Sequence, residues 1–173
     1  MDTRVPSREG KGKEGKGKAM LKYVNMIRVN DKARMPNKKY RGDAGWDLFI
    51  SRDAIILPGE TVDIHTDIHI DMPPFIFARI VGRSSTLRKH NLIVNEGIID
   101  NGYTGELFIC VRNMSNDKPF EVKTGMRLAQ ILFHRIEDIR WAEVELRDFK
   151  TKERGAAGFG STGLYGLEGD ESG

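Results

Sequence analysis

Hydrophobic and polar residues alternate along short stretches of this chain. The clearest case is residues 61–70, where the even-numbered positions are Val, Ile or Thr and the odd-numbered positions from 63 to 69 are Asp or His. A period of two residues is typical of a β-strand with one buried face. Similar runs recur between turns that contain Gly and Pro, with one turn-length helix candidate at 85–90. The predicted strands are 23–29, 46–50, 54–57, 61–70, 75–81, 107–111, 120–122, 128–134 and 141–146.

Many short strands of this kind indicate an all-β fold, a sandwich or jelly-roll β-barrel with little helix. The polar side chains of the 61–70 strand are Asp63, His65, Asp67 and His69, which share one face and have metal-ligand chemistry. Because that whole face is polar, we interpret it as the solvated side of a sheet rather than as a metal site.

Residues 95–106 carry the strongest local turn signal. Asn101-Gly102 is the type of pair that best tolerates positive φ at both centres of a tight turn, and apolar residues precede and follow it. The stretch therefore predicts a β-hairpin. Asp100 lies at the shoulder of the turn, with Tyr103 across from it. A carboxylate in that position can be aimed at a bound molecule, although Asp also favours turns for purely local reasons.

The basic charge of the chain is confined to its beginning. Residues 1–20 hold six Lys/Arg and three Asp/Glu, whereas the rest of the chain holds 22 of each. A Lys/Gly-rich stretch at 11–18 has nothing with which to build a core. A body without a basic surplus does not predict nucleic-acid binding. The predicted division is a disordered Lys/Gly-rich tail at 1–20, a β domain at 21–150 and a flexible C-terminal arm at 151–173.

Two further features bear on the class of protein. No stretch has the length of a membrane span, so no membrane partner is expected. The start of the sequence carries no apolar signal core, so secretion is not expected. Cys110 is the single cysteine and lies in an apolar run, which favours a packing role. Because no disulfide can form within the chain, a soluble, intracellular (cytoplasmic) protein is expected.

Five stretches combine glycine with charged or hydroxyl side chains. The stretch at 82–86 places Arg83 beside hydroxyl side chains at a predicted helix start, which suits an anionic ligand. The stretch at 154–163 is a glycine-rich loop of the type that wraps phosphates with backbone N–H groups. Its Gly-x-Gly-x-x-Gly spacing is not a dinucleotide fingerprint, because too few residues follow it to form a βαβ unit. The five stretches are 42–48, 82–86, 95–106, 125–130 and 154–163.

In order and spacing, these stretches resemble the five motifs of the dUTPase family, the deoxyuridine triphosphate nucleotidohydrolases. The resemblance covers residues 21–164. Trp46 stands where Tyr or a smaller residue is frequent, and Ser85 stands where Gly is common. The resemblance implies a jelly roll, usually a homotrimer with three active sites at subunit interfaces. It also implies an enzyme that converts dUTP and water to dUMP and pyrophosphate with Mg²⁺.

The resemblance further implies roles for the matching residues. Asp100 would activate the water that attacks the α-phosphorus, Tyr103 would lie under the deoxyribose, and Asp47 would hold Mg²⁺ through water. Arg127 would brace the fold or the interface. The residues expected at the uracil are Asn95, Gly97, Ile98, Ile99, Phe108 and, by stacking, Phe159. The residues expected to hold or cover the phosphates are Arg83, Ser84, Ser85, Gln130, Arg154, Gly160, Ser161 and Thr162.

Two alternative functions stay open at this point. A dCTP deaminase-like enzyme of the same superfamily shares the fold but needs a glutamate near the base, for which Glu96 and Glu106 are the nearby ones. A regulatory binding protein could use the same scaffold without turnover. The glycine-rich loop and the intact catalytic positions favour the hydrolase, because hydrolysing a polyanion depends on charge neutralisation and positioning.

Overall fold

The structure is a computed structural model that describes residues 23–150. These residues divide into two compact units, 23–137 and 138–150, each described by itself. The first unit contains ten strands and one helix. Their bounds are β1 Asn25–Arg28, β2 Trp46–Leu48, β3 Ala54–Ile56, β4 Thr61–Asp71, β5 Ile76–Gly82, α1 Ser84–His90, β6 Leu92–Val94, β7 Gly97–Ile99, β8 Glu106–Asn113, β9 Phe120–Val122 and β10 Ala129–Arg135.

The strands form two four-stranded antiparallel sheets and one two-stranded sheet. The strand orders are β1-β4-β8-β6 and β2-β10-β5-β7, and β3 pairs with β9. The prediction of an all-β fold with little helix is confirmed. Most strands were predicted within two residues of their bounds, but β6 was missed because three residues are too few to show a period.

The core is built from the alternate residues of these strands. In β8, Leu107, Ile109 and Val111 are fully buried, and Ile64 and Ile68 of β4 lie in the same core. Burying a side chain of this size contributes about 1.5–3 kcal/mol relative to leaving it exposed. The two large sheets therefore hold together through the residues that the two-residue period marks as inward-facing.

The polar face of β4 is not simply solvated, which corrects the interpretation of Asp67. Asp67 has φ +52°, a β-bulge interrupts the pairing of β4 with β8 between His65 and His69, and Asp67 is 1% exposed. Its carboxylate accepts hydrogen bonds from Arg52, Ser51 and Asn30. At the bulge the side chain of Asp67 points inward, although the two-residue period of the strand predicts that it faces solvent.

Glu106 completes this buried polar cluster. Its Oε1 accepts the backbone N–H of Asp67 at 2.9 Å and lies 3.1 Å from Nδ1 of His65. Each of His65, Asp67 and Glu106 has one potential metal-ligand atom, and these three atoms lie within 4.8 Å of one another. Because protein donors already occupy both carboxylates, we assign the cluster a structural role.

The predicted hairpin over residues 95–106 is wrong. β7 pairs with β5 in one sheet, whereas β8 pairs with β4 and β6 in the other. The turn itself is present, because the backbone N–H of Tyr103 donates to the carbonyl of Asp100 at 3.1 Å. Gly102 has φ +92° while Asn101 is not in the positive-φ region, as in a type II turn rather than a hairpin turn.

The second unit contains one 3-10 helix, Leu146–Asp148, within its described residues. The strand predicted at 141–146 is therefore wrong: the alternating residues are present, but no strand pairs with them. Trp141 is 99% exposed, and Ile139 and Phe149 are also exposed. Among residues 23–150, no helix has the length and apolar character needed to cross a bilayer.

We expect Asp67→Asn to lower the free energy of unfolding by about 2–4 kcal/mol at pH 7, because it removes a buried charge with three donors. The hydrogen bonds from Arg52, Ser51 and Asn30 hold the pKa of Asp67 well below its ordinary value of 3.8. The stabilising contribution is therefore complete above that pH and declines as the pH falls towards the folded-state pKa. Urea unfolding at pH 7 and at about pH 2.5 measures both effects.

The matched control is Asp63→Asn, an exposed carboxylate on the same strand, with an expected change of about 0.5 kcal/mol or less. Equal costs for the two variants would contradict the assignment. So would a difference between wild type and Asp67→Asn that is the same at both pH values.

Candidate active site

Asp47 of β2 is shared between two arginines. Its Oδ1 lies 2.8 Å from Nε of Arg83, and its Oδ2 lies 2.9 Å from Nη1 of Arg127. Arg83 also donates from Nη1 to the backbone carbonyl of Arg127 at 3.0 Å. Because Arg83 follows β5 and Arg127 precedes β10, one carboxylate connects residues from three of the predicted stretches.

The strand register explains why these residues meet. β10 pairs with β2 on one side and with β5 on the other, and Gln130 lies opposite Asp47. The backbone N–H of Arg83 donates to the carbonyl of Leu128 at 3.2 Å, and the buried hydroxyl of Thr86 donates to the same carbonyl at 2.6 Å. These two bonds fix the start of α1 beside β10. The arginine therefore projects from a position that the sheet determines.

Gly45 leaves space for the side chain of Gln130. A β-carbon at position 45 would come within 2.8 Å of Cδ and 3.0 Å of Cγ of Gln130. The Gln130 amide lies 3.5 Å from the carbonyl of Gly82. A glycine two residues before Asp47 thus leaves room for the amide to lie across β2 towards β5.

A cavity of about 380 Å³ opens beside these residues. Its lining is mostly charged and polar, with three cationic and two acidic side chains. Such a surface suits an anionic ligand rather than an apolar one. The lining residues are Lys38, Lys39, Tyr40, Asp43, Ala44, Gly45, Asp47, Arg83, Ser84, Gln130 and Leu132.

Asp100 and Tyr103 form a second group. Asp100 is exposed at the end of β7, and the turn that follows is tied down by Asn101, whose amide donates to the carbonyls of Pro73 and Ile76 at 2.9 Å each. These bonds attach the Asp100 turn to the start of β5. Its position therefore depends on the sheet and not only on the local turn.

Tyr103 lies over the backbone of Gly105. A β-carbon at position 105 would approach Cε2 of the Tyr103 ring to 3.0 Å, and closer still to Cζ and the hydroxyl. The hydroxyl donates to the carbonyl of Glu106 at 3.0 Å, and the side chain is 43% exposed. The ring therefore has a fixed orientation with one surface open to a ligand.

β7 is an edge strand of its sheet within the described residues. It pairs with β5 alone, so the outer backbone groups of residues 97–99 have no strand partner there. Edge-strand N–H and C=O groups can pair with another molecule. Two other predicted base contacts lie near this strand in sequence: Asn95 is exposed, and Phe108 is 38% exposed. The Phe108 ring packs against the ring of His65, with 5.1 Å between their centroids.

The two groups lie towards opposite ends of β5. Ile99, the residue before Asp100, pairs with Ala78, whereas Gly82, the residue before Arg83, pairs with Ala129. Ala78 and Gly82 are separated by ~13 Å in an extended strand. The structure therefore brings Asp47, Arg83, Ser84 and Gln130 to one cavity, and it does not bring Asp100 or Tyr103 to that cavity within the chain.

Other predicted positions have different outcomes. Ser85 lies in α1 but does not line the cavity. Cys110 is half-buried, and burial together with a hydrogen bond to Asp63 raises the pKa of its thiol, which keeps it protonated. The predicted residues that lie outside the described part of the chain are Arg154, Phe159, Gly160, Ser161 and Thr162.

Sequence reasoning missed part of the cavity. Lys38, Lys39 and Tyr40 line the cavity but lie before the first glycine-containing stretch, in residues to which the sequence analysis assigned no role. Asp43 lies within that stretch but was not predicted to be a site residue. Residues 37–40 bend beside β2, where Asn37 and Asp47 exchange two backbone hydrogen bonds. No period marks such a segment. The available signal was its position directly before the first glycine-containing stretch.

Comparison with known proteins identifies the family. The dUTPase family model matches residues 31–163. The deoxyuridine 5'-triphosphate nucleotidohydrolase of Clostridioides difficile is 41% identical over 144 residues, covering 82% of this chain and 98% of that protein. The enzyme of the same name from Mus musculus is 37% identical over 140 residues, covering 81% and 85%. The chain belongs to the dUTPase family.

Solved structures agree with this assignment. The dUTPase of Staphylococcus bacteriophage 80alpha, solved with dUPNHPP, matches with a TM-score of 0.76 and 27% identity. The match covers 82% of this chain and 99% of that chain. The resemblance that the five stretches indicated is therefore confirmed at the level of family and fold.

We expect Gly45→Ala to reduce dUTP turnover by about 10- to 100-fold while the protein remains folded, because the new methyl group displaces Gln130. Gln130→Ala should give a similar loss. In the double variant the losses should not add, since both changes remove the same side chain from the cavity. Steady-state kinetics and thermal melting of the three variants test this.

Gly42→Ala is the matched control, because a β-carbon at position 42 has nothing within 4 Å. It should retain most of the wild-type rate. Fully additive losses for the Gly45 and Gln130 changes would show that Gly45 does not act through Gln130.

Proposed function

We propose that this protein hydrolyses dUTP to dUMP and pyrophosphate. The observation that carries the proposal is the cavity in which Asp47, Arg83, Ser84 and Gln130 meet, in a chain that belongs to the dUTPase family. Transfer to water at a phosphorus atom requires charge neutralisation and in-line positioning, and little covalent chemistry. The cavity supplies cationic and amide donors for that purpose.

The phosphates are bound by the first group of residues. Arg83 keeps one guanidinium edge on Asp47 and projects from a fixed position, so its remaining N–H donors can meet a phosphate without further ordering. Ser84 and the Gln130 amide add neutral donors at the same cavity, and Ser85 follows in α1. The glycine-rich arm with Arg154, Gly160, Ser161 and Thr162 would cover the outer phosphates as a lid.

The base and the attacking water are handled by the second group. The outer edge of β7, from Gly97 to Ile99, offers backbone groups that could pair with the uracil edge. Asn95 and Phe108 would flank the base, and Phe159 would stack on it. Tyr103 would lie under the deoxyribose, and Asp100 would accept a proton from the water that attacks the α-phosphorus.

Mg²⁺ is the metal that the dUTPase family uses, and the residues here fit it. Carboxylate oxygens suit Mg²⁺, which keeps several waters and is often bound by one carboxylate together with substrate phosphates. Both oxygens of Asp47 already accept from arginines, so we propose that Asp47 contacts the metal through water. Bound Mg²⁺ would neutralise phosphate charge, and the chain's own residues would orient the triphosphate.

We propose that the active protein is a homotrimer with sites between subunits. The separation of the Arg83 and Asp100 groups along β5 supports this, because a complete site then needs the second group from another chain. The described part of the second unit supplies apolar surface for such contacts. Its exposed apolar side chains are Ile139, Trp141, Val144, Leu146 and Phe149.

The two alternatives that the sequence left open predict different products. A dCTP deaminase-like enzyme would release ammonia from dCTP and leave the triphosphate intact. A regulatory binding protein would bind dUTP without releasing pyrophosphate. Pyrophosphate and ammonia release, measured across all the deoxynucleoside triphosphates, distinguishes the three functions in one experiment.

We expect Asp100→Asn to lower kcat for dUTP by about 10²- to 10⁴-fold, because an amide keeps the shape of the side chain but cannot accept the proton of water. The Kd for a non-hydrolysable dUTP analogue should remain within a few-fold of wild type. Asp31→Asn, in an exposed turn, is the matched control and should leave kcat unchanged. Retention of most of the wild-type kcat in Asp100→Asn would contradict the assignment.

A further inference from the structure

The cavity beside Asp47 has a cationic part that the proposed chemistry does not use. Arg83, Ser84 and Gln130 are assigned to phosphates, but Lys38 and Lys39 also line the cavity. Of the described lining residues, these two lysines are the remaining cations.

The two lysines make different contacts. The ammonium of Lys38 donates to the backbone carbonyl of Asp43 at 2.9 Å and lies 4.9 Å from the centroid of the Trp46 ring. These contacts hold the bend against β2, so Lys38 acts as a brace. The ammonium of Lys39 lies 5.0 Å from the centroid of the Tyr40 ring, and its residue is exposed. An exposed cation–π contact is weak, and it leaves the N–H donors of the ammonium available to a ligand.

The position of Lys39 is fixed by its surroundings. Asn37 exchanges two backbone hydrogen bonds with Asp47, at 2.6 and 3.3 Å. The next turn is closed by Tyr40 and Asp43: the backbone N–H of Tyr40 donates to Oδ2 of Asp43 at 2.9 Å, and the backbone N–H of Asp43 donates to the carbonyl of Tyr40 at 3.1 Å. Lys39 lies between these two sets of hydrogen bonds, which hold its backbone beside the cavity that its side chain lines.

We propose that Lys39 binds the terminal phosphates of the substrate, and the pyrophosphate product, at the cavity. This inference rests on the proposed function. Asp47 is matched by two arginines, and among the described residues Lys39 forms no ion pair with either Asp47 or Asp43. A diphosphate is a compact polyanion, and a lysine ammonium can add charge-assisted hydrogen bonds to those of Arg83. A ligand held by Arg83 and Gln130 brings its outer phosphates into the same cavity as Lys39.

The test compares Lys39→Gln with wild type by calorimetry, using inorganic pyrophosphate and dUMP as separate probes with Mg²⁺ present. Loss of one partly exposed charged contact should weaken pyrophosphate binding roughly tenfold and raise the KM for dUTP by a similar factor, with kcat changed less. The Kd of dUMP should not change, because dUMP lacks the terminal phosphates. Lys39→Arg should restore pyrophosphate binding.

Lys118→Gln is the matched control, a lysine that lines a different cavity beside His90 and Phe120, and it should bind pyrophosphate like wild type. Equal pyrophosphate affinity in Lys39→Gln and wild type overturns the inference, and so does an equal loss for dUMP and pyrophosphate. Calorimetry with pyrophosphate needs no turnover. A wild-type protein that does not hydrolyse dUTP would therefore overturn the proposed function and leave the Lys39 result to be judged by itself.

Discussion

The pairing of β5 is the constraint on which the rest of the site depends. This strand pairs with β10 along its whole length and with β7 over three residues. A paired strand is extended and cannot fold back, so the residues at its two ends stay apart. Arg83 follows one end, and Asn101 ties the Asp100 turn to the other. One chain therefore presents two partial sites, and the chemistry we propose requires the second partial site from a neighbouring subunit.

Within the first partial site, the ion pairs serve mainly to position groups. Asp47 is partly buried, but Arg83 and Arg127 are each about a third exposed or more, so the pairs add little to stability. Their effect is to fix the direction of Arg83 before a ligand arrives, which lowers the ordering cost of binding. Gly45 and Gly105 contribute in a related way, because each leaves the space that a nearby functional side chain occupies.

The sequence predicted the features that depend on local pattern. The two-residue period located most strands, and the glycine-containing stretches identified four of the residues that line the cavity, Asp47, Arg83, Ser84 and Gln130. The pattern failed where partners are distant in sequence. A tight turn at Asn101-Gly102 does not determine which strands pair, so β7 and β8 were wrongly joined. The inward turn of Asp67 depends on a bulge and on Arg52, and Lys39 lies in a bend without any period, so neither position could be read from alternation alone.

The most direct test of the account is complementation between two inactive variants. Arg83→Ala removes the proposed phosphate contact, and Asp100→Asn removes the proposed base, so each protein alone should be nearly inactive. When the two are unfolded together and refolded as a mixture, the proposed trimers should form at random and contain sites with Arg83 from one chain and Asp100 from another. The expected activity is about one quarter of that of wild-type protein treated in the same way. A mixture no more active than the separate variants would contradict the account, because it would mean that each chain supplies both residues to its own site.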